Sequence, residues 1–281
     1  MRDGSGPAAQ RRVILNCDDF GSALCANEAV ERALAGLATS ATVMVPCPWG
    51  YDAVRRCVEH PEWAVGVHLT HTAEWGRYRW RPLLPRERVP GLHGPEGFMW
   101  PRTADVYAHA SPAEVLAECV AQVEQAIAWG LRPSHLDSHM GVLQTDEAMF
   151  EVYLEVAARF GLPLRMAGEP ELAAARSWAP WAVQARARAR GRGLRFADDL
   201  LMGGRRRPGE DGRAFLLRTL AELPPGTTEI LFHPAVDSPE LRAMTGGGQD
   251  RVRDLQLLTA DADLRRTIAE QGLERVSYRA L

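Results

Sequence analysis

The sequence has few of the features that mark membrane, secreted or nucleic-acid-binding proteins. No apolar run approaches the ~20 residues that a helix needs to cross a bilayer. The first residues carry Gly, Pro and charge where a secretory signal would be apolar. The formal net charge of −3 gives no electrostatic reason to expect nucleic acid or an anionic membrane as a partner. We therefore expect a protein without a membrane or nucleic-acid partner. A homodimer is left open.

Cysteine is also sparse and unpatterned. The five cysteines are an odd number and include no CxxC pair, so the sequence suggests neither a thiolate metal site nor a disulfide framework. A reduced, cytoplasmic setting is the expectation. These cysteines are Cys17, Cys25, Cys47, Cys57 and Cys119.

What the sequence does contain is a regular alternation of β-type apolar runs and stretches with helical spacing. Strands are predicted at residues 13–17, 40–45, 65–69, 134–137, 162–166, 228–232 and 275–278. Helices are predicted at residues 23–36, 51–59, 112–129, 146–160, 213–223 and 251–271. The alternation implies a parallel sheet with right-handed crossovers. Seven or eight such units favour an α/β barrel, with a doubly wound sheet as the alternative.

The predicted domain organisation is simple. Residues 1–10 are interpreted as a disordered tail, and residues 11–281 as a single domain. Residues 71–110 interrupt the alternation with many Pro, Gly and aromatic residues, which predicts a long, aromatic-rich excursion. Residues 170–211 are rich in Ala and Arg and are predicted to be partly helical.

Four short polar sequences stand at the ends of predicted strands. They are NCDDFG with Asp18 and Asp19, GVHLT with His68, HLDSHMG with His139, and LFHPA with His233. The carboxyl ends of barrel strands converge on one mouth, where active sites are built. We therefore expect these side chains to lie together although they are distant in the chain.

The adjacent carboxylates of Asp18 and Asp19 favour a metal site. Two such groups repel each other, which raises one pKa unless a cation intervenes. A divalent metal resolves the repulsion when one carboxylate ligates it and the other stays free as a base. The alternative is that one of them caps the following helix near Ser22.

The histidines add to the case for a metal. Imidazole and carboxylate are common ligands of borderline metals, and three protein ligands with an open position mark a catalytic site. In HLDSHMG an extended backbone would point His135, Asp137 and His139 to one face. His135 or Asp137 would then orient a ligand imidazole. For each histidine alone, a structural role is the alternative.

Arg165 follows the predicted strand in GLPLRM. A buried arginine beside a carboxylate would hold that carboxylate ionised and oriented. A surface arginine on an irregular strand is the alternative interpretation.

The aromatic side chains of the excursion suggest a substrate contact. Trp75, Tyr78 and Trp80 have flat faces that can stack on a ring of the substrate or cap the mouth of the barrel. The alternative is that they anchor a long loop against the barrel. The arginines at positions 77, 79 and 81, at 186–195 and at 205–207 are interpreted as solvated charges, and contact of Arg77, Arg79 and Arg81 with a phosphate or carboxylate of the substrate is the alternative.

The motifs NCDDFG, GVHLT, PSHLDSH, PLRM and HPA, in this order, resemble the YdjC-like carbohydrate deacetylases, of which chitooligosaccharide deacetylases are the best-known members. The resemblance runs from about residue 13 to the end of the chain. It implies a distorted (β/α) TIM-like barrel of the glycoside hydrolase/deacetylase type. It also implies a small-molecule substrate, an N-acetylated amino sugar or sugar-containing metabolite, from which water removes the acetyl group.

The resemblance also assigns residue roles. Asp19, His68 and His139 would ligate one divalent metal ion, Mg²⁺ or Zn²⁺. Asp18 would be the catalytic base, and His233 the catalytic acid. Arg165 would fix the base.

Two departures bear on the substrate. Family members often carry a further histidine two residues after the DSH motif, where Gly141 stands here, and GVHL continues as THTAEWGRYRW. A chitooligosaccharide is therefore not implied as the substrate. A metal-dependent phosphoesterase, another amidohydrolase and an inactive sugar-binding barrel remain alternatives. A glycosidase would need two opposed carboxylates instead of an adjacent pair.

Overall fold

The fold is taken from a computed structural model that describes residues 10–177, 179–201 and 207–281. The predicted tail at residues 1–10 lies outside these residues, apart from Gln10. The same is true of Arg205 and Arg206 in the basic sequence at 205–207.

Parallel strands form the centre of the fold. The strands are β1 (Arg11–Phe20), β2 (Ser40–Val43), β3 (Val65–Leu69), β4 (Leu136–Ser138), β5 (Asp199–Leu201), β6 (Gly226–Phe232) and β7 (Glu274–Arg275). They are hydrogen-bonded in the order β4-β3-β2-β1-β6-β5, and the short β7 pairs with the beginning of β1. β1 is buried from Val13 to Phe20, because it lies in the middle of this order and is covered on both faces.

Irregular backbone continues the curved sheet between β4 and β5. Leu136 in β4 forms a parallel bridge with Leu164, and the amide of Leu164 donates to the carbonyl of Arg195 at 3.0 Å. The amide of Asp198, next to β5, donates to Thr227 in β6 at 2.8 Å. The predicted distorted (β/α) barrel is therefore confirmed, with part of its wall lacking regular strand pairing.

Helices follow most of the strands. In the described part of the chain they are α1 (Leu24–Leu34), α2 (Gly50–Glu59), α3 (Thr103–His109), α4 (Pro112–Ala128), α5 (Glu147–Phe160), α6 (Glu169–Ala175), α7 (Ala185–Gly191), α8 (Gly212–Glu222), α9 (Pro239–Met244), α10 (Gly248–Thr259) and α11 (Ala262–Glu270). Within those residues, no helix combines the length and the apolar character that crossing a membrane requires.

Three predicted elements differ from the structure. The predicted strand at 162–166 forms only the bridge at Leu164, because this part of the wall is irregular. The predicted helix at 251–271 is two helices, since the side chain of Asp261 accepts a hydrogen bond from the amide of Leu264 and begins α11. The predicted last strand at 275–278 is reduced to β7, and Tyr278 begins a 3-10 turn.

A glycine in β3 sets the position of the site. A Cβ atom on Gly66 would lie 2.4 Å from the carbonyl oxygen of His135, so only glycine lets the chain leading into β4 approach this closely. The resulting register pairs His68 of β3 with Asp137 of β4. Both side chains thereby reach the same end of the barrel.

Candidate active site

The structure brings Asp19, His68 and His139 together at the carboxyl ends of β1, β3 and β4. Oδ1 of Asp19 lies 3.5 Å from Nε2 of His68 and 3.4 Å from Nδ1 of His139. The two ring nitrogens are 3.3 Å apart. All three side chains are buried, so one carboxylate oxygen and two imidazole nitrogens face a common point.

This arrangement fits a divalent cation. Three ligands of one tetrahedral ion, bound at about 2.0–2.2 Å, lie about 3.3–3.5 Å from one another. In addition, Oδ1 of Asp19 is buried and has no hydrogen-bond partner. A buried carboxylate oxygen without a partner is costly, and a cation between it and the imidazoles would remove that cost. Their role as metal ligands remains a prediction.

The backbone directs Asp18 and Asp19 to different partners. Asp19 has a φ of 63°, in the left-handed region that few residues other than glycine adopt. This turn at the end of β1 sends the Asp19 side chain to the histidines and leaves Asp18 beside Arg165. Strained backbone of this kind is concentrated at functional sites.

Each histidine of the group is oriented by a carboxylate. Nδ1 of His68 is 2.5 Å from Oδ1 of Asp137, which leaves Nε2 facing Asp19. Nε2 of His139 is 3.0 Å from Oε2 of Glu74, which leaves Nδ1 facing Asp19. Such contacts fix the tautomer and the ring orientation of metal-binding histidines. Burial lowers the pKa of His68, but Asp137 and Asp19 outweigh it and raise this pKa to about 10, so the site attracts positive charge.

Arg165 holds the second aspartate. Its two terminal nitrogens donate to Oδ2 and Oδ1 of Asp18 at 2.7 and 2.6 Å, and its Nε donates to Oε1 of Glu229 at 2.9 Å. A further contact of 2.9 Å reaches Oδ2 of Asp137. Burial raises the pKa of Asp18, but the Arg165 guanidinium outweighs burial and holds this pKa well below its usual range. Asp18 is therefore ionised and fixed in orientation.

His233 stands beside this aspartate at the end of β6. Its Nε2 is 3.8 Å from Oδ2 of Asp18, and its side chain is 39% exposed. The backbone amide of His233 donates to the carboxylate of Asp254 at 2.8 Å. A cavity of about 1170 Å³ opens next to His233, and Phe215 and Leu257 contribute to its described lining. The described lining of this cavity includes none of Asp18, Asp19, His68 and His139, so the cavity lies beside His233 and away from the Asp–His–His group.

The three aromatic residues predicted to contact substrate pack on one another. Trp75 and Trp80 are 8% and 3% exposed, and Nε1 of Trp80 donates to the carbonyl of Thr72. Tyr78 is partly exposed, and its hydroxyl donates to the carbonyl of Ser22 at 2.8 Å. The Trp80 ring lies 6.1 Å from that of His139. This packing favours loop anchoring for Trp80, while sugar stacking remains a prediction.

Two other sets of predicted residues lie away from the Asp–His–His group. His135 is buried, stacks on Tyr278 at a centroid distance of 3.7 Å and lies 2.8 Å from the hydroxyl of Ser134, so Asp137 is the residue that orients a ligand imidazole. In the basic stretch 186–195, Arg188 and Arg192 form ion pairs with α5. The prediction of a solvated charge is wrong for Arg186, which is buried and donates to the backbone carbonyls of Ala167 and Ala197.

Three contributors to the site were missed by sequence reasoning. Glu74 lies in the excursion, Glu229 inside an apolar strand, and Arg251 in α10, where it donates to Oδ2 of Asp19 at 2.7 Å. Glu229 carried a detectable signal, because a carboxylate within TEILF is unusual in a buried strand. Arg251 carried none, because one of several arginines on an amphipathic helix suggests only solvent exposure.

Fold and site together define an α/β barrel protein with a candidate single-metal centre at the mouth of the barrel. The chain belongs to the YdjC-like protein family, because the sequence profile of this family matches residues 12–270. It is 31% identical to a carbohydrate deacetylase of Vibrio vulnificus (strain CMCP6), and the alignment covers 96% of each chain. It is also 31% identical to a carbohydrate deacetylase of Geobacillus stearothermophilus, and that alignment covers 96% of this chain and 97% of the relative. A crystal structure of a proposed cellobiose-phosphate cleavage protein from Enterococcus faecalis V583 matches with a TM-score of 0.81 and 26% identity, covering 97% of this chain and 99% of that one.

Proposed function

We propose that the protein is a metal-dependent carbohydrate N-deacetylase, which hydrolyses the N-acetyl group of an amino sugar or a sugar-containing metabolite. The observation that carries the proposal is the unpartnered Oδ1 of Asp19, directed at Nε2 of His68 and Nδ1 of His139 beside an arginine-bound aspartate. Curated relatives over nearly the whole chain are named carbohydrate deacetylases, which supports the same activity.

Asp19, His68 and His139 would hold one divalent ion, Mg²⁺ or Zn²⁺. When bound, such an ion acts as a Lewis acid toward a carbonyl oxygen and lowers the pKa of water. The two imidazole donors favour a borderline ion such as Zn²⁺, because the hard Mg²⁺ prefers oxygen donors.

The remaining chemistry belongs to the side chains of the chain. Asp18 would accept the proton of the attacking water, because Arg165 keeps it ionised and oriented. His233 would donate a proton to the departing amine nitrogen, which is a poor leaving group without it. The separation of 3.8 Å between Nε2 of His233 and Oδ2 of Asp18 lets both groups act on one amide. The products would be acetate and the free amino sugar.

The test compares two substitutions at the site. Asp18→Asn should remove turnover and leave metal content nearly unchanged, whereas His139→Ala should lose both. Glu124→Gln is the matched carboxylate-to-amide control, since Glu124 forms an exposed ion pair with Arg159 on the barrel exterior. Acetate release and bound metal are measured for each purified variant. Full activity in Asp18→Asn would remove the base from the proposal.

Substrate is identified by a screen with divalent ions. N-acetylated amino sugars are offered with and without a phosphate group, because the name of the Enterococcus structure refers to a phosphorylated disaccharide. Acetate and inorganic phosphate are measured separately. Phosphate release without acetate release would favour a phosphoesterase on the same ligand set.

A further inference from the structure

Arg251 joins helix α10 to the candidate metal centre. Its terminal nitrogen donates to Oδ2 of Asp19 at 2.7 Å, and its side chain is 17% exposed. Its guanidinium lies over the Trp75 ring, 5.4 Å from the centroid. The backbone carbonyl of Arg251 accepts from the amide of Ala235, two residues beyond His233. The arginine is thus held by both the excursion and the segment that follows β6.

The two oxygens of Asp19 have different surroundings. Oδ2 is engaged by Arg251, whereas Oδ1 faces His68 and His139 without a hydrogen bond. A carboxylate can bind a metal through one oxygen or through both. Turning Asp19 so that both oxygens face the histidines would break the hydrogen bond to a largely buried guanidinium, which is a costly loss.

We propose that Arg251 is a positioning residue that restricts Asp19 to a single ligand oxygen. This inference rests on the proposed metal-dependent function. The chain then supplies three ligand atoms, one from each of Asp19, His68 and His139, and the other coordination positions stay available to water and substrate. The Trp75 ring packs against the guanidinium of Arg251 and helps to fix its position. This tryptophan therefore has a role at the metal centre that does not require contact with a sugar.

The expected signature is a separation of metal affinity from turnover. In Arg251→Met the carboxylate of Asp19 is free to use both oxygens, and a positive charge beside the cation is removed. Co²⁺ should therefore bind as tightly as in the wild type or more tightly. At saturating Co²⁺, kcat for acetate release should fall about 10–100-fold, the usual effect of losing a partner of a metal ligand. The visible absorption of bound Co²⁺ should weaken, because higher coordination numbers give weaker bands.

Two further variants complete the experiment. Arg251→Lys retains the charge and one donor and should recover most of kcat and of the absorption intensity. Arg266→Met is the matched control, since Arg266 makes an exposed ion pair of 2.6 Å with Asp263 on α11. Arg251→Ala, which also removes the donor to Asp19, replaces the methionine variant if circular dichroism shows that the latter does not fold.

Two results would overturn the inference. One is Co²⁺ affinity that drops while kcat at saturating metal stays at the wild-type value, which would make Arg251 an aid to metal capture only. The other is unchanged kcat and unchanged absorption in a folded variant. If the wild-type chain itself binds no Co²⁺, or releases no acetate with it or any other divalent ion, it is the proposed function that fails.

Discussion

At the scale of single residues, Asp137 contacts both the predicted metal ligand His68 and Arg165, the arginine that holds Asp18. One of its oxygens lies 2.5 Å from Nδ1 of His68, and the other accepts from Thr42 at 2.8 Å and contacts Arg165 at 2.9 Å. The residue that orients a predicted metal ligand therefore also contacts the arginine that fixes Asp18. A change at Asp137 should affect metal binding and proton transfer together.

Asp137→Asn should lower the affinity for Zn²⁺ about 10–100-fold. An asparagine has one acceptor oxygen, so it cannot accept from His68, Thr42 and Arg165 at the same time. Isothermal titration of the purified protein with Zn²⁺ measures the effect, with Glu124→Gln as the control. Wild-type affinity in Asp137→Asn would show that the orientation of His68 is set by other contacts.

His135 gives a pH dependence whose sign follows from its burial. Burial lowers the pKa of His135 from 6.5 to about 3. Between these values the unfolded chain binds a proton that the folded chain does not, so the free energy of unfolding rises with pH in this window. His135→Phe keeps a ring against Tyr278 and should reduce this slope by up to about 1.4 kcal/mol per pH unit.

Urea unfolding at several pH values between 4 and 7, in chelator, measures that slope. His60→Phe is the control for replacing an imidazole by a phenyl ring, because His60 also stacks on an aromatic ring, that of Trp63, at 4.2 Å. An identical slope in the wild type and His135→Phe would contradict the assignment.

Individual site residues were predictable where chemistry and position coincide in a short motif. Asp18, Asp19 and His68 follow or end apolar runs, so their convergence at one mouth follows from the fold class alone. Glu74 and Arg251 contribute through contacts between segments with no sequence relation. Their partners depend on the path of the excursion and the position of α10, which local periodicity does not encode.

At the scale of elements, the close approach of Gly66 in β3 to the backbone of His135 constrains the pairing of β3 with β4. Gly66→Ala would place a Cβ atom 2.4 Å from a backbone carbonyl that cannot move without disturbing β4. We expect the free energy of unfolding to fall by about 1–3 kcal/mol, with weaker metal binding because His68 and Asp137 lose their register. Urea denaturation and metal titration measure the two effects.

Gly76→Ala is the control for this substitution, because nothing lies within 4 Å of the corresponding Cβ position in the excursion. Equal stabilities of the two alanine variants would mean that the strands can separate at little cost.

Element prediction succeeded for regular strands and failed where the barrel is irregular. β1, β3 and β6 are buried along most of their length, as expected of parallel strands covered on both faces. The run at 162–166 contains Pro163, which has no amide to donate, and its neighbours at 195–198 are not a regular strand, so no ladder forms along it. The division of the last long helix was indicated in the sequence by Asp261, because aspartate is a common N-cap residue and this one begins α11.

At the scale of the whole molecule, the segment that follows β7 contacts residues that hold the predicted base in position. The Tyr278 ring stacks on His135, and its hydroxyl donates to Oε2 of the buried Glu229. Glu229 in turn accepts from Arg165, the partner of Asp18. A chain of contacts therefore runs from β7 and the following turn to the predicted base.

Tyr278→Phe should lower the free energy of unfolding by about 1–3 kcal/mol, because it leaves a buried carboxylate oxygen without a donor. It should also lower kcat, by less than Asp18→Asn does, through the looser Arg165. Thermal denaturation and acetate release measure both. Tyr107→Phe, which removes a hydroxyl bonded to the carbonyl of Val142 in a half-buried position, is the control and should retain kcat. Full stability in Tyr278→Phe would exclude this support.

The position of β1 has a consequence for biosynthesis. β1 pairs with β2 on one side, but on the other side Arg11 pairs with Gly226, so this second edge of β1 has no partner until β6 has left the ribosome. Until then the nascent polypeptide exposes an apolar edge from Val13 onward, and such edges invite association with other chains. We therefore expect the barrel to close only after β6 has been synthesised, so that production in cells should respond to slower synthesis or to added chaperones.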